Sequence, residues 1–134
     1  MVWFGGGIRM SQQQSFGGGG GNNPPTPYTA TTVGATTADI ITVPLGNVAG
    51  TFQFEARCKG YEETTPAGNG FNIYATFTTN GTTANLVGNQ QIFNEDDALM
   101  DADASFVASG NNAILRVLGV TGLTINWTAS YELT

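Results

Sequence analysis

LTINWTASYEL, residues 123–133, is the stretch on which the reading of this chain turns. Leu123, Ile125, Trp127, Ala129, Tyr131 and Leu133 alternate with Thr124, Asn126, Thr128, Ser130 and Glu132. Successive side chains of a β-strand point to opposite faces, so this spacing sets one apolar row against a core and one polar row toward solvent. A helix would scatter the same apolar residues around its circumference. The alternation runs to the end of the sequence and predicts a chain that finishes inside a sheet.

The same period recurs upstream. In TFQFEARCK (51–59), Phe52, Phe54, Ala56 and Cys58 alternate with Gln53, Glu55, Arg57 and Lys59. Phe71, Ile73, Ala75 and Phe77 repeat it, Asn80-Gly81 supplies a hairpin turn, and Ala84 to Val87 returns from that turn. Ser105 to Ser109 and Ala113 to Val120 flank Gly110-Asn111-Asn112 as a further hairpin. Shorter strands are expected at Asp39 to Val43 and Gln91 to Phe93, with loops at Gly46 to Gly50 and at Pro66-Ala67-Gly68-Asn69-Gly70. Seven or eight short antiparallel strands with turns between them predict an all-β fold, a β-sandwich of jelly-roll type. Helical periodicity is confined to EDDALMDADA (95–104), which predicts one or two turns capped by Asn94.

Residues 1–27, MVWFGGGIRMSQQQSFGGGGGNNPPTP, have a different character. Glycine runs oppose any isolated helix or strand, yet Trp3, Phe4, Ile8 and Phe16 are set among them. A flexible linker has no use for exposed aromatics. The stretch therefore reads as an extended anchoring arm that becomes ordered on a partner, followed by a β-sandwich domain over 28–134.

Composition narrows the functions available. Charged residues make up 10% of the chain, against roughly 25% in ordinary soluble domains. A surface of Thr, Asn, Ser and Gln suits close packing against other subunits, since a hydroxyl is desolvated more cheaply than an ammonium. The net charge is −6, and the basic residues are Arg9, Arg57, Lys59 and Arg116. Four cations cannot neutralise a row of phosphates, so nucleic acid is not expected as a partner. No apolar run approaches the roughly 20 residues of a membrane-spanning helix, and no basic segment precedes an apolar one as in a cleaved signal peptide. With no histidine and a single cysteine, Cys58, neither a disulfide framework, a transition-metal site nor a histidine-based triad can be assembled. No cofactor and no enzymatic activity are expected. Cys58 shares its strand face with Phe52 and Phe54 and reads as a core residue.

Two constellations remain. Glu95, Asp96, Asp97, Asp101 and Asp103 concentrate oxygen ligands of the kind Ca²⁺ takes, but without the spacing of a calcium loop; they read as a solvated segment crossing one end of the sandwich. Tyr61 and Tyr74 are expected on the outer surface, as subunit contacts or as platforms on which a sugar ring stacks.

The segments YEETTPAGNGF (61–71), NEDDALMDADASFVASGNNAILRV (94–117) and GVTGLTINWTASYEL (119–133), in that order, resemble a small β-module that recurs in structural proteins of tailed bacteriophages and prophages. The resemblance covers about 100 residues, from Thr36 onward, and it supplies no catalytic residues. It implies a virion component, a homotrimer, and other capsid or tail proteins as partners of the arm. One short domain behind an arm suits a short head, collar or tail fibre or a capsid decoration. The alternative expectation is a carbohydrate-binding module for host surface glycan.

Overall fold

A computed structural model of the protein describes residues 27–96 and 102–134. The arm residues Trp3, Phe4, Ile8 and Phe16 lie outside the described residues, as do Asp97 and Asp101 of the acidic segment. Nine strands follow in order: β1 Tyr28–Val33, β2 Thr37–Pro44, β3 Gly50–Glu62, β4 Ala67–Thr79, β5 Ala84–Leu86, β6 Gln91–Asp96, β7 Asp103–Ser109, β8 Asn112–Leu118 and β9 Thr124–Leu133. All pairings are antiparallel. A six-stranded sheet runs β1-β9-β3-β4-β5, with β6 also on β4, and a three-stranded sheet runs β2-β8-β7. The expected sandwich is therefore present, with nine strands in place of seven or eight.

β1 pairs with β9 and β2 with β8. One antiparallel ribbon, β1-β2 against β8-β9, thus folds over both layers, which is the jelly-roll element of the design. β3 and β4 form a long hairpin in register from Gly50↔Thr79 to Glu62↔Ala67. β5 and β6 lie one after the other along the far side of β4, opposite Phe77–Thr79 and Asn69–Tyr74 respectively.

The core lies between the inward rows of the two sheets. Phe54, Ala56, Cys58, Phe71, Ile73, Ala75, Phe77, Ile125, Trp127 and Ala129 come from the large sheet, and Ile41, Ala104, Phe106, Ala113, Leu115 and Val117 from the small one. Phe54, Phe77 and Phe106 form an aromatic triangle with centroid separations of 5.6, 5.3 and 6.0 Å. Each buried aromatic ring stabilises the fold by about 1.5–3 kcal/mol through area alone, with about 0.5–1.5 kcal/mol more per well-placed ring pair. The Trp127 indole N–H donates to Thr32 Oγ1 at 2.9 Å, which ties β9 to β1 inside the core.

Three details depart from sequence expectation. Ala67 to Gly70 belong to β4 and not to a loop, because the Gly60 N–H donates to the Asn69 side-chain oxygen at 2.7 Å and extends the hairpin beyond the apolar alternation. Asn94, Glu95 and Asp96 continue β6. Asn94 stands opposite Phe71 in the ladder and caps no helix; pairing with β4 outweighs the local helical preference of these acids. β1 was not expected, since its inward row is Tyr28, Ala30 and Thr32, too polar to stand out. In β2 a register shift between Asp39 and Ile41 lets the adjacent Ile40 and Ile41 both enter the core.

The turns carry their own chemistry. Asn80 Oδ1 accepts from the Thr82 and Thr83 N–H groups at 2.9 and 2.8 Å and closes the β4-β5 hairpin. Asn111 ties one end of the sandwich together: its side-chain NH₂ donates to Gly46 O at 2.7 Å and its side-chain oxygen accepts from Thr79 Oγ1 at 2.5 Å.

Between β5 and β6 the chain leaves the ladder. Val87 N–H still donates to Thr76 O, Gly88 takes a positive φ of 60°, and pairing resumes at Gln91↔Tyr74. The excursion drops Gln90 toward the other layer. Its amide accepts from Phe106 N–H at 2.7 Å and donates to Phe106 O at 2.9 Å. A side chain here does what a neighbouring strand would do for β7.

Candidate interaction surface

The outer face of the six-stranded sheet is built from the polar row of each strand. Register sets its rows: Glu132, Glu55, Tyr74 and Gln91 share one, and Ser130, Arg57, Asn72 and Phe93 the next. Below them run Thr128, Lys59, Gly70 and Glu95, then Asn126, Tyr61 and Gly68.

Tyr61 and Tyr74 are both exposed, as the alternation requires. They do not form one site. Tyr61 stands opposite Gly68, six positions from Tyr74 along β4, a separation of roughly 20 Å at about 3.3 Å per residue. The neighbour of Tyr74 is Phe93, with ring centroids 6.1 Å apart and planes at 81°. Phe93 is 58% exposed, unusually open for a phenylalanine on a sheet. Sequence reading placed it in a short strand without assigning its face. The alternation Gln91, Phe93, Glu95 against Ile92, Asn94, Asp96 was the signal available, and it did not show which row faced the core.

All six residues of β6 are exposed, including Ile92 at 40%. Ile92 shares the inward side with Ile73, yet β6 extends past the cover of the three-stranded layer. Around the aromatic pair the charge is mixed: Arg57 lies 3.7 Å from Glu55, and Lys59 and Glu95 flank Gly70 in their row. A Cβ built on Gly70 would meet nothing within 4 Å, so the sheet floor there is open to an approaching group.

The other candidates resolve into structural roles. The Cys58 thiol is buried in the core, and burial pushes its pKa up to about 12, so it is protonated and unreactive at neutral pH. Glu95 and Asp96 are neighbours on a strand and point to opposite faces, which prevents them from converging on one ion. Among the described residues no three His, Cys, Asp or Glu side chains group as a metal site. A depression lined by Glu55, Arg57, Ser130, Tyr131 and Glu132 holds about 20 Å³, room for a water molecule and far below the roughly 300 Å³ where ligand pockets begin.

One buried carboxylate was not anticipated. Glu62, at the end of β3, is 3% exposed, and its Oε1 accepts from Thr64 Oγ1 at 2.5 Å, Thr65 N–H at 2.8 Å and Thr65 Oγ1 at 2.9 Å. These donors, Thr64 foremost, hold its pKa below the ordinary carboxylate value. It shapes the β3-β4 turn from within.

Among the described residues no helix is long and apolar enough to cross a membrane. Comparison with family models, with curated proteins and with solved structures gives no match for this chain.

Proposed function

We propose that this chain is a structural component of a bacteriophage virion, a short head, collar or tail fibre or a capsid decoration. In this reading residues 1–27 anchor an oligomeric β-domain to other virion proteins. The observation that carries the reading is the outer surface of β4 and β6, where Tyr74 and Phe93 stand exposed side by side as a ring pair. Such a patch is the mark of contact with another macromolecule. The aromatic residues of the arm and the resemblance of residues 36–134 to phage modules support it from the sequence side.

The test is incorporation. Particles are produced with a full chain carrying Trp3→Ala and Phe4→Ala together, purified, and probed for the protein. The expected result is a folded, soluble protein that no longer enters particles. Incorporation at the wild-type level refutes the anchoring role.

A second reading, a carbohydrate-binding module for host surface glycan, is favoured by one specific arrangement: the exposed ring pair of Tyr74 and Phe93 beside the open floor over Gly70. A glycan array distinguishes it. Specific binding that Tyr74→Ala abolishes would support this reading, and a blank array would dismiss it.

A further inference from the structure

The sequence contains two Asn-Gly pairs, Asn69-Gly70 and Asn80-Gly81. This dipeptide is chemically labile, because glycine puts no side chain in the way when its own nitrogen attacks the preceding amide. In that reaction the Gly81 nitrogen gives its proton to water or hydroxide and bonds to Asn80 Cγ. The Cγ–Nδ2 bond breaks and the amide nitrogen leaves as ammonia. Water then opens the succinimide ring, on one side to aspartate and on the other to an isoaspartyl link that routes the backbone through the side chain.

The β4-β5 turn depends on both residues of its pair. Gly81 has a φ of 98°, and a Cβ there would lie 2.9 Å from Asn47 O. Asn80 Oδ1 accepts from Thr82 N–H, Thr82 Oγ1 and Thr83 N–H at 2.9, 2.9 and 2.8 Å. These donors fix the side chain, but they also draw electrons from Cγ, as donors around a developing oxyanion do. Taken alone they favour attack, so any protection has to act on the nitrogen.

The nitrogen is held. Gly81 N–H donates to Thr79 Oγ1 at 3.0 Å. The single proton of that hydroxyl is committed elsewhere: Asn111 Nδ2 donates to Gly46 O at 2.7 Å, which turns Asn111 Oδ1 toward Thr79 to accept it at 2.5 Å. Donation therefore runs one way, from Gly81 through Thr79 and Asn111 to Gly46, and Thr79 is buried. The Gly81 nitrogen presents its proton, and on ionisation its lone pair, to Thr79 and not to Asn80 Cγ. An anion formed there would face an oxygen lone pair with no proton to offer it.

We infer that Thr79 guards Asn80-Gly81 against deamidation: its hydroxyl, oriented by Asn111, keeps the nucleophilic nitrogen turned away, so the folded chain retains an amide that the unfolded chain loses. Asn69-Gly70 is kept by a different means, since Asn69 is buried in the β3-β4 ladder and its Oδ1 accepts from Gly60 N–H. It serves as the internal control. The inference does not rest on the virion reading.

The experiment follows deamidation of the full chain at mildly alkaline pH by peptide mapping and mass spectrometry. The protein is compared folded in buffer and unfolded in guanidinium chloride, with far-UV circular dichroism as the check on folding. Asn80 should convert at least about tenfold more slowly in the folded protein, the scale that one hydrogen bond supplies. Thr79→Val should recover most of that factor at Asn80 and leave Asn69 at its wild-type rate, while Thr79→Ser, which keeps the hydroxyl, should stay slow. Asn111→Ala leaves Thr79 in place but frees its proton to turn toward the nitrogen, and should also speed conversion of Asn80. Equal rates at Asn80 in the folded and unfolded chains overturn the inference. So does a folded Thr79→Val protein that converts Asn80 at the wild-type rate, or one in which Asn69 and Asn80 accelerate together. If Thr79→Val does not fold, Asn111→Ala decides, and a folded variant with Asn80 converting at the wild-type rate overturns it.

Discussion

Replacing Thr32 by valine isolates one hydrogen bond in the core. Thr32 and Trp127 are each 1% exposed, and the indole N–H has Thr32 Oγ1 as its acceptor at 2.9 Å. Valine matches threonine in shape, so the substitution opens no cavity and leaves a buried donor without a partner. A donor stranded in this way costs about 1–3 kcal/mol. Taking about 2 kcal/mol, and a domain of about 105 residues, the melting temperature should fall by roughly 10 °C. The assay is urea unfolding followed by circular dichroism for four proteins: wild type, Thr32→Val, Trp127→Phe and the double variant. Trp127→Phe removes the donor and loses ring area, so it is destabilising by itself. In the phenylalanine background, however, Thr32→Val removes an acceptor that no longer serves the indole, and its effect should fall to within about 0.5 kcal/mol of zero, giving a coupling of about 1–2 kcal/mol. If Thr32→Val costs the same in both backgrounds, the loss comes from packing beside Gly119, where Thr32 sits tightly. The hydrogen bond would then not be what joins β1 to β9.

Three further outcomes follow from local geometry. Gly60→Ala places a methyl 2.8 Å from Asn69 Oδ1 and 2.9 Å from Ile125 Cγ2, so thermal unfolding should show a loss of about 1–3 kcal/mol or more from overpacking. Glu62 has a lowered pKa, so its carboxylate adds stability above the unfolded value of about 4.3, and that stability is lost as pH falls through the lower folded value. The wild type should therefore exceed Glu62→Gln in melting temperature at pH 6 and converge on it toward pH 3; a gap independent of pH would dismiss the role given to ionised Glu62. Gln90→Leu keeps a side chain of similar size but strips both bonds from Phe106, and native-state hydrogen exchange should then show faster exchange at the Phe106 amide than at Leu115.

How legible all this was from sequence varied with the physics of each element. Strands whose inward row is large and apolar, β3, β4 and β9, could be read directly from their alternation, and β8 from the Gly110-Asn111-Asn112 turn that precedes it. β1 could not, since its inward Thr32 becomes a core residue only through Trp127, 95 positions away. Of the loop expected at 66–70, residues 67–70 are strand because Asn69 bonds across to Gly60, a contact made by folding and absent from local composition. The same limit applies to the surface. The outward direction of Tyr61 and Tyr74 followed from period two, but the partnership of Tyr74 with Phe93 depends on the register of β6 against β4, which no local pattern encodes. The acids at 95 and 96 look helical by propensity and lie in a strand because a neighbouring strand offers them a ladder.

Gln90 has a consequence that reaches past its two hydrogen bonds. Its amide stands in for one peptide unit of a missing strand, so on that flank the two layers are joined by separate contacts, this amide and the Ala84 N–H bond to Gly110 O among them, and not by a ladder. On its outer side β7 therefore depends on a single side chain for what a ladder would supply, while β6 takes its ladder from β4.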